Sequence, residues 1–256
     1  MGQGTVKLER FEGYAVLSLN RPEKRNALNQ ALLEDLNEAV LSIEKDKNIR
    51  AVVVRGEGRV FSSGLDLAEV DRLEGAHNPM NIQNVFQRLE AMPVPTIAAV
   101  QGAAIAGGLE LALHCDLRIA SESAKLGMTL GRVGLMPPFD FTRKLIEVLG
   151  APNTNKILFT AELVSAREAL AMGMVHEVVA DGELDNAAKA LAEKVAGNAP
   201  LSLRAMKATI RRCMSAANTA EHEDIEKMSR DLRKSQDARE GVRAFLEKRK
   251  PVWRAE

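Results

Sequence analysis

This chain contains few cysteines and few aromatic residues, and it has no excess of charge of either sign. Its 256 residues include 2 cysteines, 1 tryptophan and 1 tyrosine. Cys115 and Cys213 stand at unrelated positions, which excludes a disulfide framework and a cysteine-based metal site. The four histidines have no metal-ligand spacing either; they are His77, His114, His176 and His222. We therefore expect no metal ion and a reducing, cytoplasmic location.

The charge balance and the hydropathy exclude two classes of partner. Lys+Arg and Asp+Glu number 35 each, so no net field attracts nucleic acid or an anionic membrane. No apolar run approaches the roughly 20 residues that cross a bilayer. Residues 1–5 also lack the basic and apolar parts of a signal peptide. We expect no nucleic-acid partner and no membrane association.

Apolar strands alternate with helical patterns through most of the chain. The segments 51–55 and 96–100 are almost wholly apolar, which is typical of strands buried on both faces of a sheet. Asn29 can cap a helix over 30–46. Other strands are predicted at 6–10, 14–20, 116–120 and 174–179, and other helices at 80–92, 144–149, 154–159, 166–172, 184–196, 201–214 and 221–235. The pattern predicts an α/β core over residues 1–195 and a helical C-terminal region over residues 196–256.

A glycine-rich segment joins the strand at 96–100 to the next helix. Gly102, Gly107 and Gly108 predict a turn there, and the helical pattern that follows carries Glu110 in its first turn. Glycines let main-chain N–H groups approach a ligand, and a helix N-terminus adds unpaired donors and a favourable dipole. A site for developing negative charge, with a carboxylate about one turn away, suits enolate chemistry on a thioester.

Six segments, in the same order, resemble those of the crotonase superfamily, the enoyl-CoA hydratase/isomerase family. The likeness extends over about 230 residues, which makes it specific. The segments are LNRPEKRNAL (19–28), FSSGLDL (61–67), the glycine-rich segment 102–116, LFTAE (158–162), 169–175 and AFLEKRKP (244–251).

The resemblance implies a fold, a substrate and an assembly. The fold is a crotonase-like spiral of ββα units with a helical C-terminal trimerisation region. The substrate is an acyl-CoA, so coenzyme A enters as part of the substrate and no other cofactor is expected. The assembly is a homotrimer or a homohexamer made of two trimers. An apolar stripe on the predicted helix 201–214 needs a covering surface, which either a neighbouring subunit or the chain's own core could provide.

Members of this superfamily hold the thioester oxygen with two main-chain N–H groups. The matching residues are Leu65, in the loop with Ser63 and Gly64, and Gly107. Two preorganised donors of this kind lower the barrier to enolate formation. Without the loop at 62–66, close packing of helix on strand would explain Gly107 equally well.

A path for coenzyme A is also implied. Lys24 and Arg25 match residues along this path, and Ala27 matches a main-chain contact. Lys248 matches a lysine that reaches the nucleotide end, often from a neighbouring subunit. Cations suit phosphates, although each of the three could also be an ordinary surface charge. Further candidates for substrate contact are Leu67 and Phe245, and helix packing explains Phe245 equally well.

Hydratases of this superfamily place a water between two glutamates, and this chain keeps only one. Glu110 matches the first and is expected to be an acid/base group, the alternative being a charge facing the helix dipole. The second falls on Leu130, which cannot transfer a proton. Some members carry an aspartate where this chain has Pro138. Asp140, two residues on, is a candidate partner for Glu110, or else the N-cap of the next helix. Leu130 and Pro138 are expected to contact the substrate.

Three functions remain open on these residues. Glu110, alone or with Asp140, could transfer a proton beside the thioester in an isomerisation or a modified hydration. The chain could instead decarboxylate a malonyl-type CoA, since its segments at 128–130 and 244–251 resemble methylmalonyl-CoA decarboxylase. Leu65 argues against this, because that enzyme has a histidine there. The third function is CoA binding with little activity; an RNA-binding relative is disfavoured by the charge balance.

Two further residues lie close to these candidates. His114 follows Glu110 by four residues on the same predicted helix face, so it could tune Glu110, although a structural role is favoured. Arg132 lies beside the altered loop and could meet an acidic acyl group.

Overall fold

The structure, a computed structural model, describes residues 4–72, 82–216, 227, 230–231 and 233–252. Its strands are β1 (Val6–Arg10), β2 (Tyr14–Leu19), β3 (Ala51–Gly56), β4 (Thr96–Val100), β5 (Ala103–Ile105), β6 (Leu117–Ser121), β7 (Lys125–Gly127), β8 (Val164–Ser165) and β9 (Glu177–Val179). Its helices are α1 (Gln30–Glu44), α2 (Leu67–Arg72), α3 (Ile82–Ala91), α4 (Gly107–Leu113), α5 (Phe139–Thr160), α6 (Ala166–Ala171), α7 (Leu184–Ala196), α8 (Pro200–Ala216) and α9 (Gln236–Leu246). The α/β arrangement predicted from the sequence is confirmed.

A six-stranded sheet in the order β1-β2-β3-β4-β6-β9 forms the centre of the molecule. β1 and β2 are antiparallel, and every later pair in this sheet is parallel. Alternate residues of each strand enter different cores, as the pleat requires. Val52 and Val54 of β3 pack in one core, whereas Ala51 and Val53 pack in the other. The prediction that β3 and β4 are buried on both faces is therefore confirmed.

The two cores are covered by different helices. α1, α3, α4 and α5 contribute to the larger core, and α7 covers the other face with small residues one turn apart. Asn29 caps α1 as predicted, because its side chain accepts a hydrogen bond from the Leu32 amide at 3.0 Å. The helix ends at Glu44, two residues before the predicted end.

A smaller sheet, β5-β7-β8, was not predicted from the sequence. The glycine-rich segment was expected to be a turn, but residues 103–105 form a strand that pairs in parallel with β7. The strands are only two or three residues long, which is too short for period-two alternation to be visible. This small sheet matters because α4 begins directly after β5.

Other boundaries also differ from the prediction. α5 joins the two predicted helices 144–149 and 154–159, and a break at Gly150, with φ +69° and ψ 161°, lies between them. β9 begins at Glu177, later than the predicted start at 174. The predicted helix 221–235 falls largely outside the described residues.

The C-terminal helices attach to the core at two points. On α8, the buried Lys207 donates to the carbonyl of Val94 at 3.0 Å and to the Asp116 carboxylate at 2.6 Å. α9 packs on the segment 130–134, where a Cβ on Gly241 would lie 2.7 Å from Val133 Cα. The C-terminal helices therefore find part of their covering surface on the chain's own core, and the division at residue 195 stays a prediction.

Candidate active site

Two main-chain amides lie side by side where α4 begins. A Cβ built on Gly107 would lie 3.7 Å from the Leu65 nitrogen, and one on Gly64 would lie 3.2 Å from the Gly107 nitrogen. Among the hydrogen bonds of the described residues, neither the Leu65 nor the Gly107 N–H is a donor. We call these two N–H groups the amide pair. They are free to donate to a common acceptor.

Unusual backbone precedes each member of the amide pair. Gly64 has φ +91°, where a residue other than glycine is strained. Ala106 has φ +50° and ψ −115°, which is rare for alanine. Ala106 is held there because its N–H donates to Gly127 at 2.9 Å and its carbonyl accepts from Glu110 at 3.0 Å. Strained backbone maintained by the surrounding structure is common at functional sites.

The loop that carries Leu65 is bonded to its neighbours on both sides. Leu28 donates to the Gly64 carbonyl at 2.8 Å, and the Asp66 amide donates to the Leu28 carbonyl at 3.0 Å. Ser62 pairs with β5, receiving a bond from Ile105 at 3.0 Å. These bonds use the main chain of the loop on either side of Leu65 and leave its own amide free.

Gly108 allows α4 to approach this loop. A Cβ at position 108 would lie 2.9 Å from both the carbonyl carbon and the Cβ of Ser62. Real Cβ atoms do not come so close to backbone, so any larger residue would push α4 from the loop. The spacing of the amide pair thus depends on a glycine that itself makes no bond to a ligand.

Glu110 is the buried carboxyl of the site. It lies in the first turn of α4 with only 5% of its surface exposed. Burial raises the pKa of its carboxyl to about 7, a hydrogen bond from Gln83 lowers the pKa, and the charge of Asp140 raises it. The position in α4 predicted from the sequence is correct. At neutral pH such a group can either accept or donate a proton.

α3 contributes a row of polar side chains that the sequence analysis did not identify. Gln83 donates to Glu110 Oε1 at 2.7 Å, and Gln87 donates to Asp140 Oδ2 at 3.3 Å. One turn on, Glu90 accepts a bond from Lys144 at 2.8 Å. We call these contacts of α3 with α4 and α5 the polar seam. The sequence pattern that could have predicted the polar seam is a row of polar residues at i, i+4 and i+7, which lie on one stripe of an amphipathic helix.

Asp140 does not cap a helix, so that alternative is wrong. Pro138 is the N-cap of α5, with extended backbone, and Asp140 lies inside the first turn. α5 begins before the predicted start at residue 144. The ring of Pro138 fixes its φ at a value that suits the residue just before a helix. The Asp140 carboxylate accepts from Gln87, and its Oδ1 lies 3.6 Å from Arg143.

His114 contacts the main chain of Glu110. Its Nδ1 lies 2.8 Å from the Glu110 carbonyl oxygen, and its Nε2 lies 3.6 Å from the Glu90 carboxylate. The ring packs near Phe86 and Phe141. Burial lowers the pKa of His114, which favours the neutral ring. These contacts agree with the structural role favoured from the sequence.

The segment in which the second glutamate was expected is partly covered by α9. Leu130 begins a 3₁₀ turn, Leu130–Val133, is half-buried and packs against the larger core. Pro138 is half-buried too. Arg132 is exposed and lines a cleft of about 430 Å³ together with Phe159 and Pro251.

The residues expected along the coenzyme A path lie on separate elements. Lys24 and Arg25 are exposed on the 3₁₀ turn Pro22–Lys24 and just after it, and the Ala27 carbonyl accepts from Arg21 at 2.6 Å. Phe245, which is 60% exposed, lies near the end of α9, and Lys248 follows with φ +56°. The remaining candidates are Ser63, which is half-buried, and Leu67, which begins α2.

The sequence analysis also missed Asn26, which shapes the turn that carries Lys24. This fully buried side chain donates to the Glu57 carbonyl at 2.9 Å and to the Val60 carbonyl at 2.8 Å. It has φ +52°, which asparagine tolerates better than most residues. The signal available in the sequence was an asparagine in a polar turn directly after a strand.

Neither a metal cluster nor a membrane span is found in the described part of the chain. No group of three or more His, Cys, Asp or Glu there could hold a metal ion. None of the helices there is long and apolar enough to cross a bilayer. His77 and His222 lie outside the described ranges.

Comparison with known proteins agrees with this fold and site. Residues 9–256 match the family model described as Enoyl-CoA hydratase/isomerase. The chain is 36% identical to the short-chain-enoyl-CoA hydratase of Clostridium acetobutylicum, over 98% of this chain and 97% of that protein. It is also 36% identical to the crotonyl-CoA hydratase of Syntrophomonas wolfei, with 98% of this chain and 98% of that one covered.

A solved structure of methylmalonyl-CoA decarboxylase superposes with a TM-score of 0.90 at 28% identity, covering 100% of both chains. The chain belongs to the enoyl-CoA hydratase/isomerase family, the crotonase superfamily identified from its sequence motifs. The crotonase-like fold is thereby confirmed.

Proposed function

We propose that this chain is an acyl-CoA enzyme of the enoyl-CoA hydratase/isomerase type, which stabilises a thioester enolate and transfers a proton beside the thioester. The observation that carries the proposal is the amide pair beside the buried Glu110, whose pKa is about 7. The two hydratases that are each 36% identical to the chain support the same reaction class.

The amide pair would act on the carbonyl oxygen. When a proton leaves the carbon next to a thioester, negative charge develops on that oxygen. Donors that are already in position stabilise this charge more than they stabilise the neutral carbonyl. Because both donors are main-chain groups, the side chain of Leu65 need not take part, and it is 38% exposed.

Glu110 would be the acid/base group. As a carboxylate it takes the proton from carbon or from water, and as a carboxylic acid it returns a proton to carbon. A pKa of about 7 leaves both forms populated near neutrality. The charge of Asp140 raises the pKa of Glu110, so we assign Asp140 a role in tuning that group.

Leu130 limits the reaction that follows. With leucine where the second glutamate is expected, one carboxyl must both remove and return the proton. A double-bond isomerisation needs only this, because the proton that Glu110 takes from one carbon returns to another. Hydration by the usual two-carboxylate arrangement should be weak.

Decarboxylation is the second candidate, favoured by the superposition with methylmalonyl-CoA decarboxylase at a TM-score of 0.90. Loss of CO₂ from a malonyl-type thioester leaves its electron pair as the enolate. The amide pair alone could stabilise this enolate, and Glu110 would serve only to protonate the carbon afterwards.

Glu110→Gln, compared with the wild type on enoyl-, malonyl- and 3-oxoacyl-CoA esters, tests the proposal. The products are resolved by mass. We expect the wild type to form isomerised or hydrated product, and we expect turnover by the variant to fall about 10²–10⁴-fold. Full turnover by Glu110→Gln together with CO₂ release would establish the decarboxylase instead. Binding without turnover of any ester would leave a CoA-binding protein.

We also propose that Lys24, Arg25 and Lys248 bind the phosphates of coenzyme A. Ala27, Leu67 and Phe245 would contact the same moiety, with Ser63, Gly64, Leu130 and Pro138 nearer the acyl group. Exposure of the three cations supports this role. Lys24→Ala and Lys248→Ala should raise KM severalfold for CoA esters and leave KM unchanged for pantetheine esters, which lack the nucleotide. Lys189→Ala, on α7, is the control.

Assembly and location are proposals too. The side chains of Leu201, Met206 and Ile210 on α8 are 75%, 59% and 63% exposed in the single chain, which supports burial against a second subunit. We propose a homotrimer or a homohexamer, and light scattering of the purified protein would give the mass. Cys115 and Cys213 are unpaired, which supports a reducing, cytoplasmic location.

A further inference from the structure

The two ends of the Gln83 amide have unequal surroundings. Its Nε2 donates to Glu110 Oε1 at 2.7 Å. Its Oε1 is buried and has no hydrogen-bond partner among the described residues. A buried acceptor that lacks a hydrogen-bond partner destabilises a protein. The amide therefore keeps this orientation for the bond to Glu110, at the expense of its own carbonyl oxygen.

The neighbouring residues of α3 contrast with Gln83. Gln87 bonds to Asp140 and is itself exposed, and Glu90 bonds to Lys144 with a quarter of its side chain accessible. In this row, only Gln83 contacts the carboxyl that the proposed reaction uses.

We propose that Gln83 is the positioning residue for Glu110: it holds Oε1 so that Oε2 is the oxygen that exchanges protons with the substrate. This inference rests on the proposed function, because it assigns a chemical role to Glu110. The acid and base steps then occur at one oxygen, because the other is held by Gln83. Gln83 also favours the carboxylate over the carboxylic acid, since its N–H₂ donates to the charged form.

The groups that surround Glu110 and can influence its charge state lie on three helices, α3, α4 and α5. α3 contributes Gln83, which is neutral, and α5 contributes the negative charge of Asp140. The other titratable or charged groups of these helices around the site are Glu90, His114, Arg143, Lys144 and Glu147. A change at position 83 leaves all of these pairs in place, so its effect on Glu110 can be read separately.

Gln83→Met keeps the shape of the side chain and removes the donor. Its matched control is Asn84→Leu, which makes the same kind of change on the next, exposed residue of α3. The protonation of Glu110 is followed by infrared titration of its carboxyl band, with Glu110→Gln as the reference. We expect the midpoint to rise by about one pH unit in Gln83→Met and to stay unchanged in Asn84→Leu.

The pH profile of turnover gives the second readout. Glu110 works as a base when deprotonated, so Gln83→Met should shift the rise of kcat/KM to higher pH. The loss of positioning should lower the rate at every pH, and the pKa shift should add a further loss of about tenfold on the acid side. A fall of equal size at all pH values would indicate a structural role and would overturn the proposal.

Gln83→Glu is a second variant in case Gln83→Met folds poorly. It keeps the size of the side chain and places a like charge beside Glu110, so the midpoint should rise further. An unchanged infrared midpoint in both variants would refute the inference. If the infrared shift appears but no ester is turned over, the pairing stands and the proposed function fails.

Discussion

The amide pair and the polar seam are adjacent, yet they are built by opposite means. The amide pair consists of main-chain atoms held by glycines at 64, 107 and 108 and by the bonds of β5 and β7. The polar seam consists of side chains from three helices, joined at 2.7–3.3 Å. A change to the amide pair must move the backbone, whereas a substitution in the polar seam can change the chemistry and leave the fold intact.

This difference bears on the proposed departure of the chain from the two-glutamate pattern. The amides of Leu65 and Gly107, proposed to hold the thioester oxygen, lie close together because glycines let the backbone segments approach each other. Leu130 lies where the second glutamate was expected, and its side chain packs against the larger core. The reaction is therefore more readily changed at side chains around Glu110 than at the amide pair.

The largest effect is expected from Gly108→Ala. The new Cβ would meet the backbone of Ser62, so α4 and the loop must separate and the amide pair with them. We expect a loss of roughly 3 kcal/mol or more in the free energy of unfolding and a fall in kcat of about 10²–10³-fold. Urea denaturation measures the free energy of unfolding, and steady-state kinetics measure kcat.

Gly182→Ala is the control for this variant. A Cβ on Gly182 would have nothing within 4 Å, so stability and turnover should stay near the wild type. If Gly108→Ala were also fully active, the amide pair would not depend on this close approach.

Glu110→Gln should stabilise the protein at alkaline pH while it slows proton transfer. The folded pKa of about 7 lies above the ordinary value of 4.5, so folding takes up a proton between these two pH values. This opposes folding increasingly as pH rises through that window, by about 3 kcal/mol above pH 7, and not at all below about pH 4.5. Denaturation of both proteins at pH 4.5 and pH 8 should show the variant gaining stability only at pH 8.

Lys207→Met tests how firmly α8 is attached to the core. The substitution removes the buried ammonium from Val94 and Asp116, which leaves the carbonyl and the carboxylate without that donor. We expect a loss of about 1–3 kcal/mol, faster amide hydrogen exchange in α8 and little change in the pH profile of turnover. Lys189→Met, at an exposed position on α7, should have no such effect; equal losses in both would show that the Lys207 contacts add nothing.

The smallest effect is expected at the C-terminal end of α9. Arg249 is bonded to both carboxylate oxygens of Glu240, whose pKa this contact lowers to about 2. The pair is exposed, so Glu240→Gln should lower Tm by no more than a few degrees at low salt. In 1 M salt the difference should vanish, and a persistent loss would mean that packing rather than charge holds this segment.

The strands and the glutamate were predictable because each depends on its own sequence neighbourhood. Two-sided burial of β3 follows from an unbroken apolar run, and the place of Glu110 follows from the glycines before it. The short strand β5 was missed because three residues show no period. The alternative that Asp140 caps a helix was wrong, because the start of α5 depends on the backbone of Pro138, a feature that side-chain type alone does not reveal.

The sequence by itself determined the α/β class, the superfamily and the place of Glu110 in the first turn of a helix, because these are carried by local periodicity and contiguous motifs. Only the tertiary structure decided that Gln83, 27 residues away in sequence, bonds to Glu110. It also decided that Leu65 and Gly107 present their amides side by side. Contacts between separate elements depend on how strands and helices pack, and no single segment of the chain contains that information.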